Sequence, residues 1–330
     1  MASAAARRQT ATLGAVGEFG LLAGLLPTLP GGADVVLGPG DDCAVVAVGR
    51  ARLLVTVDAL VEGVHFRRGW LAPPALGRKA FAVNASDIAA MGGAPRWCVA
   101  QLAAPPRTPA AAVTAIARGI AAAAAAVGAT LVGGNLSRAA ELSVAVTLIG
   151  AAPRRPVTRA GARPGDVLYV TGRLGDAALA VRALRRGRAP TPAAMARFRT
   201  PPSRLVAGAA LARGRLAAAM IDVSDGLLQD LGHLCDASGV GARIELARLP
   251  CSAAVRRAGL ELALRGGEDY ELLFAVPPRR AAALARAALG CPITRIGVCT
   301  PAAAGVHVVD AGGHVLGAGA RGHDHFRGPG

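Results

Sequence analysis

The chain has 330 residues, of which 53% are hydrophobic, and it carries 37 basic against 21 acidic residues. This length permits two domains with a substantial core. The net charge of +16 raises the question of nucleic-acid binding, but Lys79 is the only lysine and aromatic residues make up only 3% of the chain. The arginines are dispersed and base-stacking side chains are scarce, so nucleic acid is not expected as the main partner.

The cysteines and the apolar segments indicate the compartment. The six cysteines form neither a CxxC pair nor a zinc-ligand spacing with histidine. Residues 1–20 lack the continuous apolar segment of a secretion signal. The apolar stretch 110–132 contains Arg118 and two glycines, which favours a helix in water over a membrane span. We therefore predict a cytoplasmic protein without a membrane contact.

The first half of the chain alternates apolar runs with turn residues. The predicted elements are a helix at 17–26, strands at 44–48 and 52–58, a helix from Pro73 to Gly92, a strand at 97–103, a helix at 108–127, a strand at 129–135 that runs into a glycine turn, and a strand at 141–150.

The stretch 151–166 is rich in Pro, Arg and Gly and has no sustained periodicity, so we place a domain boundary there. The second half repeats the alternation, with strands predicted at 167–172, 217–223, 242–246, 270–276 and 293–298 and helices at 175–187, 202–213, 226–238 and 279–289, besides a short helix after 246. This alternation indicates α/β layers in each half. We predict an α/β protein with a tail at 1–14, an N-terminal domain at 15–152, a C-terminal domain at 153–326 and a short tail at 327–330.

Acidic residues stand at glycine-rich turns or strand ends in five separate places, although the chain has few acidic residues. They are Asp41, Asp42, Asp58, Asp87, Asp222, Asp225, Glu268 and Asp269. Carboxylates in such positions bind hard cations such as Mg²⁺, which usually bridge to phosphate. The chain has no GxxxxGK[ST] loop, no GxGxxG opening a βαβ unit, no protein-kinase signature and no GxSxG elbow. Metal-assisted phosphate chemistry is therefore the leading hypothesis.

Most of these acidic residues also have a structural interpretation. Asp41 and Asp42 could form an Asx turn, and Asp87 could cap a helix. Asp225 could be the N-cap of the next helix, and Glu268 could be a solvated turn carboxylate. Asp58 is harder to explain in this way, because a carboxylate at the end of an apolar strand needs a cation or several donors.

Five motifs in a fixed order resemble the thiamine-monophosphate kinase family. They are GDD at 40–42, DALVEGVHF at 58–66, NASDIAAMGGAP at 84–95, DVSDGLLQDLGH at 222–233 and GGEDYEL at 266–272. The similarity extends from about Gly17 to Phe326. The family belongs to a superfamily with aminoimidazole ribonucleotide synthetase, selenophosphate synthetase and the hydrogenase maturation factor E.

The resemblance implies a two-domain fold of the aminoimidazole ribonucleotide synthetase type. An N-terminal mixed sheet would pair across a homodimer, and a C-terminal α/β domain would close over the substrate. It also implies Mg²⁺-dependent transfer of the γ-phosphoryl of ATP to thiamine phosphate, which gives thiamine diphosphate and ADP.

The resemblance also assigns roles to individual residues. The implied ligands of several Mg²⁺ ions are Asp42, Thr56, Asp58, Asp87, Asn135, Asp222 and Asp225. The implied ATP-contacting residues are Gly134, Arg159 and Ser224. The implied substrate-contacting residues are His65, Glu268 and His323. Lys79 matches a helix position that faces either the phosphates or solvent, and the sequence leaves both open.

Four positions depart from the family pattern. Val57 replaces a hydroxyl residue before the strand-end Asp58, and Asn135 replaces an aspartate after two glycines. Ala117 and His323 stand where aromatic residues are expected. Two other hypotheses therefore stay open, namely an ATP-dependent synthetase of the same superfamily that activates an amide, and a weakened binding protein for thiamine phosphates.

Overall fold

The computed structural model describes residues 12–318, which form two sheets with helices packed against them. In the first half, the elements in chain order are helices α1 (Leu13–Val16) and α2 (Glu18–Leu25), strands β1 (Val35–Leu37), β2 (Ala44–Val48) and β3 (Ala51–Val61), helix α3 (Pro73–Ala90), strand β4 (Ala94–Ala104), helix α4 (Ala110–Ala126), and strands β5 (Thr130–Arg138) and β6 (Ser143–Ala151).

The N-terminal sheet has six strands in the order β1-β2-β3-β6-β4-β5. Only β4 and β5 run parallel, and α4 connects them. Helices α3 and α4 cover one face and cross at two glycines. A Cβ on Gly77 would lie 2.0 Å from the carbonyl oxygen of Ile116, and one on Gly119 would lie 2.3 Å from that of Pro74. Glycine is needed at both positions because the two backbones touch.

The other face of the N-terminal sheet is apolar and exposed. Side chains alternate between the two faces of a strand, so Thr56 points toward α3 while Val57 points away from it. Val57 is 62% exposed, Val99 40% and Trp97 42%. We call this face, formed by β3, β6, β4 and β5, the outer face.

The second half contains the remaining elements. In chain order they are β7 (Val167–Thr171), α5 (Asp176–Arg185), α6 (Pro192–Arg199), α7 (Leu205–Arg213), β8 (Ala219–Val223), α8 (Leu227–Ser238), β9 (Val240–Glu245), α9 (Ala253–Ala258), α10 (Glu261–Arg265), β10 (Glu271–Val276), α11 (Ala281–Ala285), β11 (Ile293–Pro301), β12 (Val306–Val309) and β13 (Val315–Ala318). Its sheet has the order β13-β12-β9-β11-β7-β10-β8.

The two halves contact each other through α3 and α7. A Cβ on Gly208 of α7 would lie 1.9 Å from the carbonyl oxygen of Ala89, and one on Gly92 would lie 2.3 Å from the Cβ of Ala212. Each residue of β8 is buried, so this strand lies deep in the molecule at the sheet edge. This packing brings the C-terminal turn of α3 next to β8, which positions the site.

Several local predictions differ from the structure. Strand β5 continues through Gly133 and Gly134, so the predicted glycine turn is wrong. The helix expected at 279–289 is shortened to α11. Helix α6 and strands β12 and β13 were not predicted. Helix α6 has a sequence signal, since Thr191 caps it by accepting a hydrogen bond from the Ala194 N–H and Pro192 follows.

Among residues 12–318, the structure contains no helix with the length and apolarity needed to cross a membrane.

Candidate active site

Three carboxylates from distant parts of the sequence converge between the two halves. Asp42 precedes β2, Asp87 lies in the last turn of α3, and Asp222 lies near the end of β8. One oxygen of each lies within 4.8 Å of the others. Asp42 and Asp222 are buried and Asp87 is half-buried. We call these three residues the carboxylate cluster.

Two hydroxyl groups orient the carboxylate cluster. The Oγ1 of Thr56 donates a hydrogen bond of 2.6 Å to Asp87, and the Oγ of Ser86 donates one of 2.6 Å to Asp222. Thr56 was among the predicted site residues, whereas Ser86 was missed. Ser86 directly precedes Asp87 in the NASD motif, but its side chain reaches the other half of the molecule, which sequence spacing does not reveal.

Arg159 compensates part of the negative charge. Its guanidinium donates to the Oδ1 of Asp42, at 2.6 Å from Nη2 and 3.2 Å from Nε. Its backbone N–H donates to Asp41 at 3.1 Å. The Oδ2 of Asp42 is buried and has no hydrogen-bond partner among the described residues. A buried carboxylate oxygen without a donor fits a cation ligand, because its desolvation is otherwise uncompensated.

The carboxylate cluster has raised pKa values. Burial raises the pKa of Asp42 to about 7, and the charges of Asp222 and Asp41 add to this shift while Arg159 opposes it. Burial also raises the pKa of Asp222 to about 6, against the effects of Ser86 and Arg159. Burial raises the pKa of Asp87 well above its ordinary value, and neighbouring aspartates contribute. At neutral pH these groups therefore share protons that a divalent cation can replace.

A cavity of about 810 Å³ opens between the two halves and is lined by several predicted site residues. The predicted residues in its wall are Asp58, His65, Ser224, Asp225 and Glu268. Asp58 is accessible to solvent, but the surrounding protein displaces much of the bulk water. This desolvation, together with the charges of Asp225, Glu268 and Glu18, raises its pKa to about 6.

Arginine side chains line the same cavity. Arg182 and Arg185 come from α5, Arg186 is the C-cap residue of α5, and Arg265 comes from α10. We call these four residues the arginine rim. The cavity therefore combines carboxylates with guanidinium groups, which suits a ligand that carries both a cation and a phosphate. The sequence analysis missed the arginine rim, although the spacing of Arg182 from Arg185 and Arg186 places them near each other at the end of α5.

The loop that carries Ser224 and Asp225 is held by Asp230. The Oδ2 of Asp230 accepts hydrogen bonds from the backbone N–H groups of Ser224, Asp225 and Gly226, at 3.1, 3.2 and 3.1 Å. Helix α8 has Gly226 as its N-cap residue, so the interpretation of Asp225 as an N-cap is wrong. Its carboxylate instead accepts from the Nε2 of Gln229 at 3.2 Å.

The loop that carries Glu268 adopts an unusual backbone. Glu268 has φ of 74° and Tyr270 has φ of 49°, both in the left-handed region that side chains other than glycine rarely adopt. The Glu268 N–H donates to the Ser224 carbonyl at 2.7 Å, and the Tyr270 N–H donates to the Val223 carbonyl at 2.8 Å. These bonds tie the two loops together on one side of the cavity.

The structural interpretations of Asp87 and Glu268 are also wrong. Asp87 lies in the C-terminal turn of α3 and accepts a hydrogen bond from Thr56, so it does not cap the start of a helix. Glu268 forms an ion pair with Lys79 rather than projecting into solvent. Lys79 faces neither solvent nor the open cavity, since its side chain is only 1% exposed. The alternative that Lys79 faces solvent is therefore wrong, and the alternative that it faces the phosphates stays a prediction.

The sequence matches two family models that cover most of the described chain. Residues 40–152 match the AIR synthase related protein N-terminal domain, and residues 163–310 match the AIR synthase related protein C-terminal domain. The thiamine-monophosphate kinase of Escherichia coli (strain K12) is 39% identical over 330 residues, covering 96% of this chain and 100% of that protein. That of Mycobacterium tuberculosis (strain ATCC 25618 / H37Rv) is 40% identical over 274 residues, covering 80% of this chain and 82% of the relative.

The chain belongs to the thiamine-monophosphate kinase family.

A solved structure agrees with this assignment. AaThiL, complexed with AMPPCP and TMP, has a TM-score of 0.81 and 34% sequence identity over 94% of this chain and 98% of its own. The family and the two-domain α/β fold predicted from the five motifs are confirmed.

Two predicted positions of the thiamine-monophosphate kinase pattern lie apart from the carboxylate cluster. Asn135 and Gly134 belong to edge strand β5, three strands away from β3 and thus on the order of 14 Å from it. Asn135 is exposed and is paired with Gln101 on the outer face. Their roles as metal and ATP ligands remain predictions. His323 lies outside the described residues.

The departure at Val57 does not alter the carboxylate cluster. Its side chain lies on the outer face, whereas Thr56 and Asp58 project to the opposite side. Ala117, at the position where an aromatic residue was expected, is half-buried in α4 and packs against the core. Neither substitution removes a contact of the site described here.

Proposed function

We propose that this chain is an ATP-dependent kinase that transfers the γ-phosphoryl of ATP to the phosphate of thiamine phosphate, giving thiamine diphosphate and ADP. The observation that supports this most directly is the carboxylate cluster beside a cavity lined by both carboxylates and arginines, in a member of the thiamine-monophosphate kinase family. The relative AaThiL was solved with AMPPCP and TMP, which are the two kinds of ligand that this reaction requires.

Mg²⁺ fits the carboxylate cluster because hard cations prefer oxygen ligands and because Asp42 offers a buried oxygen without a donor. Asp42, Asp87 and Asp222 would hold it directly, and Thr56, Asp58 and Asp225 would bind further ions nearby. Bound Mg²⁺ supplies positive charge that offsets the repulsion between two phosphorylated reactants.

The protein's own groups account for binding and orientation. His65 accepts a hydrogen bond from the Val61 N–H at Nδ1, at 3.1 Å, so the neutral ring carries its proton on Nε2 and can donate it to a ligand. Asp58 and Glu268 provide negative charge for the thiazolium cation of thiamine phosphate. Arg159, Ser224 and the arginine rim provide donors for phosphate oxygens. Placing the reactants in line contributes more than acid–base chemistry, because the acceptor phosphate oxygen is already a nucleophile.

A turnover assay tests this proposal. Purified protein with ATP, MgCl₂ and thiamine phosphate should form thiamine diphosphate and ADP in equal amounts, and EDTA should abolish the product. Asp58→Asn should lower kcat/KM roughly 100-fold, in the range found when one charge-stabilising group is lost, while the thermal unfolding midpoint stays within a few degrees. Absence of product across all Mg²⁺ concentrations would refute the proposed function.

We further propose that two copies pair through their outer faces to form a homodimer. The exposed apolar residues there, Val57, Trp97 and Val99, form a patch of the kind that marks an interface between proteins. The proposed metal position Asn135 pairs with Gln101 on the same face, which a second subunit would cover in the dimer.

Sedimentation velocity tests the dimer. The wild type should sediment as a dimer, Val99→Asp should sediment as a monomer, and Val206→Asp, which changes an exposed valine of α7 in the other half, should leave the dimer intact. A monomeric wild type at micromolar concentration would contradict the proposal.

We also propose that the two domains span residues 15–152 and 153–326 and that the second domain closes over the substrate. The proposed location of the protein is the cytoplasm. Both family-model matches fall within these limits. The cysteines support the location, since all six are unpaired thiols in the structure, as expected in a reducing compartment.

A further inference from the structure

Lys79 connects three segments that are distant in the sequence. It lies on α3, and its ammonium group forms an ion pair with the Oε2 of Glu268. The same nitrogen donates a hydrogen bond of 2.9 Å to the carbonyl oxygen of Phe198, in the last turn of α6. It also lies 3.7 Å from the centre of the Phe198 ring, in a cation–π contact. Lys79 therefore joins the N-terminal half to two elements of the second half.

This position is costly for a lysine. Burial of the Lys79 ammonium lowers its pKa, and the carboxylate of Glu268 opposes that shift. A buried ion pair is often no more stabilising than apolar residues of similar size, because both charges lose their hydration. Stability alone therefore gives a weak reason for a buried lysine here. The contact of Lys79 with Glu268 gives a stronger reason for burying a lysine at this position.

The Glu268 side chain contacts Lys79 and also lines the cavity. Its Oε2 is buried against the ammonium group, yet 18% of the side chain remains exposed and lines the cavity. The backbone at Glu268 is held in the left-handed region by the hydrogen bond to Ser224. An oriented backbone and a fixed oxygen together leave the side chain little freedom.

Glu268 shares the cavity with other charged groups, namely three carboxylates and the arginine rim. Asp58 and Asp225 line the same cavity, and Glu18 lies at its edge. Without the Lys79 ammonium, repulsion from these carboxylates and attraction to the arginine rim would both favour rotation of the Glu268 side chain to another position. The Lys79 ammonium opposes that rotation from the buried side.

We propose that Lys79 is a positioning residue that fixes the Glu268 carboxylate toward the cavity, where Glu268 recognises the cationic ring of thiamine phosphate. This inference rests on the proposed function. Lys79 touches neither reactant, and it acts through Glu268 alone. Its loss should therefore weaken the use of thiamine phosphate and leave the use of ATP unchanged.

Four variants test this inference through steady-state kinetics. Lys79→Met and Glu268→Gln should each raise the KM for thiamine phosphate by about 10-fold or more, as for the loss of an outer positioning contact, with the KM for ATP within about twofold. The double variant Lys79→Met/Glu268→Gln should match Glu268→Gln alone, because residues that act as one unit give non-additive effects. Arg78→Met, at the exposed neighbour of Lys79 on α3, should behave as wild type.

The double variant also covers the case in which Lys79→Met alone does not fold, because it leaves no unpaired carboxylate beside the apolar side chain. If the double variant shows a higher KM for thiamine phosphate than Glu268→Gln, Lys79 acts independently of Glu268 and the inference is overturned. An unchanged KM for thiamine phosphate in folded Lys79→Met overturns it as well.

The activity of the wild type distinguishes a failure of the proposed function from a failure of the proposed role of Lys79. If the wild type makes no thiamine diphosphate, the proposed function fails and this inference fails with it. If the wild type is active and the variants behave as wild type, only the role of Lys79 is overturned.

Discussion

Two buried acidic sites of this protein differ in how their charges are compensated. Glu271, which is fully buried, accepts hydrogen bonds from the Thr171 hydroxyl at 2.6 Å, from Arg204 at 2.5 and 2.8 Å, and from Arg197 at 2.5 Å. The carboxylate cluster has three carboxylates, which accept hydrogen bonds from the hydroxyls of Thr56 and Ser86, and its one ion pair among the described residues is with the guanidinium of Arg159.

This difference indicates a structural role for Glu271 and a ligand-binding role for the carboxylate cluster. The donors around Glu271 occupy both of its oxygens, so it ties β10 to β7, α6 and α7 without needing any ligand. The carboxylate cluster instead keeps an unpartnered oxygen on Asp42 and raised pKa values on its members. Such an uncompensated arrangement is maintained where a ligand completes it.

The largest effect is expected from breaking the structural site. Glu271→Gln leaves two partly buried arginines without their counter-charge, and we expect it to lower the free energy of unfolding by about 3–5 kcal/mol. Urea denaturation monitored by circular dichroism measures this loss. A loss below about 1 kcal/mol would show that the Glu271 network contributes little to the fold.

The second effect concerns the carboxylate cluster and should appear in activity. Asp222→Asn removes one charge from the cluster, so we expect kcat to fall about 10²- to 10³-fold. The free energy of unfolding should stay the same or rise, because repulsion among the remaining carboxylates decreases. Kinetics and urea denaturation on the same sample compare the two quantities. Parallel losses in both would make Asp222 a structural residue like Glu271.

The third effect is a dependence of stability on pH and Mg²⁺. The raised pKa values of Asp42 and Asp222, about 7 and about 6, mean that the folded state holds protons more tightly than the unfolded state, where such groups have pKa near 3.8. Their contribution to stability is therefore complete below pH 4 and is lost as the pH rises through 6 to 7.

In EDTA, we expect the free energy of unfolding of the wild type to fall between pH 5 and pH 8. The fall should be about 1–3 kcal/mol larger than that of Asp222→Asn. Mg²⁺ at pH 8 should restore this stability, since the cation replaces the protons. Urea denaturation at both pH values, with and without Mg²⁺, measures the change. An identical pH profile for wild type and variant would contradict the coupling.

The smallest effect should come from an exposed ion pair. Glu245 contacts Arg248, which is about half exposed to solvent. We expect Glu245→Gln to change the free energy of unfolding by less than about 1 kcal/mol, because exposed ion pairs are screened by water. Urea denaturation of Glu245→Gln and Glu271→Gln under the same conditions compares the contributions of an exposed and a buried glutamate–arginine pair to the free energy of unfolding.

Local signals in the sequence were sufficient for most elements and for the family. Short apolar runs rich in β-branched residues and bounded by turn residues predicted strands such as β2 and β6. The five motifs predicted the family, because each preserves the residues of a turn or strand end. The same local analysis did not identify β12, β13 and α6, because runs of four, four and eight residues contain too few positions to establish a period.

The sequence by itself therefore determined which residues carry the charge, namely the acidic residues at turns and strand ends. Tertiary structure decided which of them meet. It brought Asp42, Asp87 and Asp222 within 4.8 Å, placed Asn135 on the outer face, and buried Lys79 against Glu268. The physical reason is that burial and counter-charge depend on contacts between segments far apart in the chain, which spacing along one strand or helix cannot encode.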